Sequence, residues 1–130
     1  MEERTRLYLA RHGETTTSSE FRYVGHMDVD ITANGVEQMK SLRDRLMNED
    51  LHALFSSDLL RSRKGAEIIS SIHEIEPMAH ADFREINLGI WEGLTREEII
   101  AKFPEDYERR LQDLAYSSIQ NGESFKDLQV

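Results

Sequence analysis

A short apolar run followed by a polar turn and a stretch of helical periodicity occurs twice in this chain, and that alternation limits the fold more than any other feature. Residues 5–10, TRLYLA, set Leu7 and Leu9 on one face and Tyr8 and Ala10 on the other, which predicts a strand buried on both faces. After a polar loop, DVDITANGVEQMKSLRDRLMNED predicts a helix behind a Thr-Ala-Asn-Gly turn, with Val36, Met39, Leu42, Leu46 and Met47 along one stripe. LHALFSS then predicts a second strand. DLLRSRKGAEIISSI predicts a second helix with Leu60, Ala66, Ile69 and Ile72 turned inward, and PMAHADF a short third strand. Strand alternating with helix over short loops defines a layered α/β domain with a mainly parallel sheet.

Further on, TREEIIAKF and PEDYERRLQDL read as two helices separated by Pro104 at a first-turn position, and NGESFKDLQV opens another from Gly122, with Phe125 and Leu128 on one side. No repeat or linker interrupts the pattern. The 130 residues are therefore expected to form a single domain, residues 1–130, with length for one hydrophobic core.

Ligands of parallel sheets gather beyond the carboxyl ends of the strands. Arg11 and His12 follow the first expected strand, and Ser57 to Arg61 follow the second. The formal net charge of −9 excludes a nucleic-acid partner, which needs a basic footprint. A small anion is still admissible where a few arginines converge in one cleft. No apolar run approaches the roughly 20 residues of a membrane span, and the chain contains no cysteine, so neither a membrane nor a disulfide is expected and the location expected is the cytoplasm. His26, His52, His73 and His80 have no zinc-site spacing, so no metal is expected.

The segment LARHGETTTSS carries the chemistry. A mostly neutral imidazole at His12 is a competent nucleophile toward phosphorus. Phosphoryl transfer asks otherwise for in-line positioning and donors around the equatorial oxygens. Arg11 supplies a fixed fork of donors, Gly13 lets backbone approach an oxyanion, and Thr15, Thr17, Ser18 and Ser19 offer hydroxyls. Arg61 reaches the same place from the second strand's end. Glu85, in FREINLGIWEG, is the candidate for handing a proton to a leaving alkoxide and taking one from water, given a pKa raised by burial or by an incoming phosphate. Each residue alone also has a structural reading: His12 as a satisfied turn histidine, Arg61 as a solvated helix residue, Glu85 as a surface carboxylate, Trp91 as core. The acidic runs NED and PEDYE read as solvated faces.

Taken together and in order, LARHGET, RYVGHMDVDITANGVEQ, FSSDLLRS, REINLGIWEGLTREEI and NGESF resemble the histidine phosphatase superfamily, in its phosphoglycerate-mutase-like branch. The resemblance covers essentially the whole chain. It implies a three-layer α/β/α fold, a phosphohistidine formed on His12, Arg11 and Arg61 clamping the phosphate, Glu85 as proton donor and acceptor, and Gly25 at the substrate mouth. It also implies no organic cofactor and a small phosphorylated metabolite as substrate. REINLGIWEGLT is more similar to phosphatases of the α-ribazole type than to glycolytic mutases. Two departures stand out. Ser18 occupies the position of a phosphate-binding asparagine, and nothing after NGESFKDLQV matches the family's second histidine in a Ser-His-Gly-like turn. The chain is therefore expected to be a C-terminally truncated form, slowed by about 2–4 kcal/mol for one lost phosphate ligand. With one sheet edge open, a homodimer is also expected, and so, as the alternative to an enzyme, is an impaired remnant that binds phosphorylated ligands or another chain.

Overall fold

The computed structural model describes residues 3–129. In chain order it holds α1 (Ala33–Arg45), β1 (Phe55–Ser56), α2 (Leu60–Ser70), β2 (Met78–Ala79), α3 (Arg96–Lys102), α4 (Pro104–Gln112) and α5 (Phe125–Leu128). Short 3-10 turns lie at Ser18–Glu20, Ala81–Phe83 and Gly89–Trp91.

β1 and β2 pair in parallel, Phe55 opposite Met78 and Ser56 opposite Ala79, with α2 in the crossover between them. The Met78 and His80 amides donate to the Leu54 and Ser56 carbonyls, both at 2.9 Å. This parallel βαβ unit is the α/β arrangement the periodicity calls for, with the strands shorter than expected. Both Arg61, in the first turn of α2, and Glu85, beyond β2, follow the carboxyl ends of these strands.

Thr32 caps α1 by accepting from the Gly35 amide at 3.0 Å. Ala33, Asn34 and Gly35 are therefore its first helical turn, not a turn ahead of it. Met39 and Leu46 meet Ile69 of α2 in a buried cluster, flanked by Leu42, Leu51, Leu54 and Ile68. Met47 and Ile72 depart from the expected stripes, at 58% and 44% exposed, because each lies past the last turn of its helix, where the periodicity no longer fixes its direction.

A second cluster forms around Ile86, Leu88, Trp91, Ile99 and Ile119. The described residues thus bury two cores, not the single one expected from length. One is a helix pair and the other packs irregular backbone against α3 and α4. α3 starts with a full capping box from Thr95 and Glu98, and Pro104 opens α4 as expected. α5 begins at Phe125 behind Ser124 and not at Gly122. Residues 120–123 instead clasp residues 87–90. The Glu123 amide donates to the Asn87 carbonyl at 2.8 Å, the Asn87 amide to Glu123 Oε2 at 2.8 Å, and the Ile90 amide to the Gln120 carbonyl at 3.0 Å.

Residues 5–10 are the clearest correction. They form no strand among the described residues, and Leu7 and Leu9 are 77% and 88% exposed, so the expected burial on both faces fails. Such burial requires neighbouring strands and covering helices, and no described residue supplies them here. The segment's side chains are tied to the turn after α1 through Glu49, which accepts from Tyr8 Oη at 2.5 Å and from Arg6 at 3.4 Å.

Candidate active site

The loop after residue 10 is shaped by the chain leading into α1. The Thr16 amide donates to the Asp30 carbonyl at 3.0 Å and the Thr32 amide to the Glu14 carbonyl at 2.8 Å, around a bridge between Thr15 and Ile31. Gly13 is buried where this loop meets the first turn of α1. A Cβ there would lie 2.5 Å from the Gly35 carbonyl oxygen, so close backbone packing requires the glycine. That differs from the expected approach to an oxyanion, and Gly13 borders a smaller hollow of about 250 Å³ with Glu14 and Gln38, not the main cleft.

The main cleft, of about 630 Å³, has Arg11, His12, Thr15, Ser18, Arg61 and Glu85 among its lining residues. Gly25 lines it as well, whereas Ser19 does not. His12 is half-buried and places Nδ1 2.8 Å from the Gly13 carbonyl. A carbonyl only accepts, so Nδ1 carries the proton and Nε2 keeps a free lone pair. Burial pulls the imidazole below its usual pKa, and the positive charges of Arg61 and Arg11 act in the same direction. The backbone bond to Gly13 and the charge of Glu85 oppose them. The ring is therefore neutral at neutral pH. If the neutral form reacts, kcat/KM falls as the pH drops through this lowered value, so the acid limb is expected below 6.5. A limb centred above 6.5 in a pH–rate profile would contradict that assignment.

Arg61 is only 4% exposed. Its Nη2 donates to the Gly25 carbonyl at 2.7 Å and its Nη1 to the Met27 carbonyl at 2.9 Å. Burial lowers the guanidinium from the ordinary arginine value, opposed by Glu85, Asp28 and Glu92, and it stays charged. Gly25 has φ +53, and a Cβ there would sit 2.4 Å from Glu92 Oε1, so a side chain at this position would dislodge the carbonyl that holds Arg61. Arg11 is exposed and borders both hollows. Ser18 Oγ accepts from the Thr15 amide at 3.0 Å and lies 3.0 Å from Thr15 Oγ1, so this hydroxyl pair closes the loop.

Glu85 is exposed, so the burial expected of it is not there. It is nonetheless held from both sides. Arg84 before it forms a two-pronged ion pair with Asp58 at 2.5 and 2.6 Å, which holds the Asp58 carboxyl below the usual range. Nε2 of His26 donates to the Glu85 carbonyl at 2.8 Å, and the Ile86 amide donates to its Oε1 at 3.1 Å.

Three supporting residues escaped the sequence reading. Asp28 accepts from the Leu60 amide at 2.6 Å, at the start of the helix that carries Arg61. Glu92 accepts from the His26 amide at 2.7 Å and the Leu88 amide at 3.2 Å, binding the loop over residues 21–27 to the segment after Glu85. Arg84 is the third. Apart from Leu88, four residues from Glu92, their partners lie 26 to 66 residues away along the chain, beyond the reach of any local signal. Among the described residues no group of three or more His, Asp or Glu side chains is arranged to hold a metal ion.

Residues 7–130 match the family described as histidine phosphatase superfamily (branch 1). The chain is 34% identical over 119 residues to phosphoserine phosphatase 1 of Hydrogenobacter thermophilus, covering 92% of this chain and 56% of that one. It is 28% identical over 121 residues to adenosylcobalamin/alpha-ribazole phosphatase of Escherichia coli K12, covering 93% and 60%. The alpha-ribazole phosphatase from Shigella flexneri superposes with a TM-score of 0.84 at 26% identity, over 90% of this chain and 58% of that one. This chain therefore has the phosphoglycerate-mutase-like α/β fold and spans about three-fifths of the length of these relatives. No helix among the described residues is long and apolar enough to cross a membrane.

Proposed function

Because the chain belongs to the histidine phosphatase superfamily, branch 1, we propose that its cleft hydrolyses a small phosphorylated metabolite of the cytoplasm through a phosphohistidine on His12. One observation carries the reading: Nδ1 of His12 is committed to the Gly13 carbonyl, which leaves Nε2 as the nucleophile in a cleft lined by the buried cation Arg61. Nε2 attacks phosphorus and the ester P–O bond breaks. Glu85, as the general acid, gives its proton to the leaving alkoxide. Water then attacks the phosphohistidine, Glu85 takes a proton from it, the P–N bond breaks, and phosphate leaves with His12 neutral again. Arg11 and Arg61 offset the charge on the equatorial oxygens, with Thr15 and Ser18 shaping the loop beneath. Hydrolysis is preferred to phosphoryl transfer between carbons because the REINLGIWEGLT block and the relatives described above are of phosphatase type.

The proton role of Glu85 has its own test. An alkyl phosphate needs that proton and p-nitrophenyl phosphate does not, since nitrophenolate leaves unaided. Glu85→Gln is expected to slow the phosphorylation step about 10²- to 10⁴-fold on the alkyl ester and less than about tenfold on the nitrophenyl ester, read by rapid quench. Equal losses on both would remove Glu85 from acid catalysis.

A second reading, phosphate-ligand binding without turnover by a chain that pairs with a second copy, is favoured by the exposure of Leu7 and Leu9 on a segment that forms no strand among the described residues. Turnover by a species of monomer mass would exclude it.

A further inference from the structure

Three consecutive residues hold two parts of the proposed chemistry at once. The Gly25 and Met27 carbonyls accept from Nη2 and Nη1 of Arg61, at 2.7 and 2.9 Å. Between them, His26 makes two different bonds. Its amide donates to Glu92 Oε1 at 2.7 Å, and Nε2 of its ring donates to the Glu85 carbonyl at 2.8 Å, across 59 positions of sequence. A carbonyl only accepts, so the proton of the neutral ring sits on Nε2. Among the described residues His26 does not line the cleft, so any effect of its ring on the reaction passes through another residue.

Glu85 is short of other anchors. It is exposed and lies in no helix or strand. Its carboxylate accepts from the Ile86 amide at 3.1 Å, but a bond to the next residue moves with Glu85 and sets no distance to Arg61. The Arg84–Asp58 pair pins the residue before it. Among the described residues, the His26 imidazole is the one hydrogen-bonding group outside residues 84–86 that meets Glu85 itself. The loop that carries His26, in contrast, is closed without the ring. The Tyr23 amide donates to the Leu94 carbonyl at 2.9 Å, the Gly93 amide to the Tyr23 carbonyl at 2.7 Å and the Met27 amide to the Val24 carbonyl at 2.9 Å, while Arg22 Nη1 donates to the Gly93 carbonyl at 2.8 Å. The ring bond therefore adds little to the loop and much to Glu85. Placement matters for such a group, since a shift of about 1 Å costs a proton donor on the order of 10² in rate.

We propose that His26 is a positioning residue: its imidazole fixes the main chain of Glu85 against the loop that grips Arg61, so that the proton donor stands at a set place relative to the phosphate. The ring takes no proton from the reaction and carries none to it. The inference rests on the reading of Glu85 as the acid and Arg61 as a phosphate donor, and it names what keeps an exposed carboxyl aligned with a buried cation.

His26→Phe keeps a ring and loses the donor, whereas His26→Gln returns an amide N–H close to the place of Nε2. In the rapid-quench assay used for Glu85→Gln, His26→Phe is expected to slow phosphorylation about tenfold or more on the alkyl phosphate and no more than about twofold on p-nitrophenyl phosphate, which leaves without a proton. Affinity for inorganic phosphate should stay within about twofold. His26→Gln is expected to recover the alkyl-ester rate to within about threefold of the parent. Added to Glu85→Gln, His26→Phe should cost less than about twofold more, because the group it positions is already gone. Equal slowing of both esters, a glutamine variant as slow as the phenylalanine one, or a full tenfold loss on top of Glu85→Gln overturns the proposal. His26→Leu takes the place of the phenylalanine variant if that chain does not fold. Without any variant, ¹⁵N NMR of the unsubstituted chain at about pH 9, where an imidazole is neutral, is expected to show the His26 proton on Nε2, and a proton on Nδ1 overturns the proposal as well. If Glu85→Gln itself slows both esters alike, the acid reading falls and takes His26 with it. If Glu85→Gln behaves as expected and His26→Phe is silent, His26 alone is removed.

Discussion

Alanine at position 12 is expected to lower phosphate-ester turnover by at least about 10³-fold against the unsubstituted chain in the same assay, because a displacement routed through an enzyme nucleophile has no substitute for it. The neighbouring arginines would still bind phosphate, so affinity for inorganic phosphate should change only a few-fold. Stability should change little as well. The half-buried imidazole makes one hydrogen bond, to the adjacent Gly13, and removing a ring whose charged form is disfavoured by burial exposes no unmatched charge. p-Nitrophenol release, phosphate titration and thermal unfolding on the same preparation separate these outcomes. Loss of turnover with loss of fold would be uninformative about chemistry, and retained turnover in a folded variant would take His12 out of the mechanism.

Arg61→Ala should behave differently, because this side chain is both a phosphate donor and a strut. Deleting it leaves the Gly25 and Met27 carbonyls without their guanidinium donors in the interior. At about 1–3 kcal/mol for each orphaned group, partly recovered by water entering the cleft, the expected loss of stability is about 2–4 kcal/mol. Losing a charge-assisted donor from the developing phosphorane should cost a further factor of about 10² to 10³ in kcat. Arg61→Lys sharpens the reading. A lysine keeps the charge but reaches at most one carbonyl, so it should recover part of the stability and little of the rate. Chemical denaturation and kcat on the two variants measure both effects, and an alanine variant as stable and as fast as the parent would place Arg61 outside the site.

Local chemistry made the site legible where a residue type and a turn coincide. His12 after an apolar run and Arg61 in the first turn of a helix after a strand follow from periodicity and the rule for parallel sheets, and Glu85 from the proton transfer that hydrolysis needs. The structure brings all three round one cleft. Residues 5–10 misled because alternation records what a segment is able to bury and not what stands beside it. Gly13 misled because its crowding comes from Gly35, 22 positions away, across a backbone contact with no sequence signature. Asp28, Arg84 and Glu92 work through partners brought near only by folding. Arg110 lies just past the acidic run PEDYE, where no local signal marks it, and only folding sets it against Trp91 and Phe125.

The central claim is covalent capture of phosphorus by one nitrogen atom. Trypsin cuts after Arg11 and Arg22, so the peptide HGETTTSSEFR carries His12 as its only histidine alongside the loop's hydroxyls. Mass spectrometry of this peptide after a phosphate ester is mixed with the chain and quenched in alkali, with NMR assignment of the bonded nitrogen, tests the claim directly. The expected product is a phosphoryl group on Nε2 of His12, stable in alkali and lost in acid. An unmodified peptide from a chain that is turning over substrate, or an acid-stable phosphoryl group on Thr15 or Ser18, would contradict it.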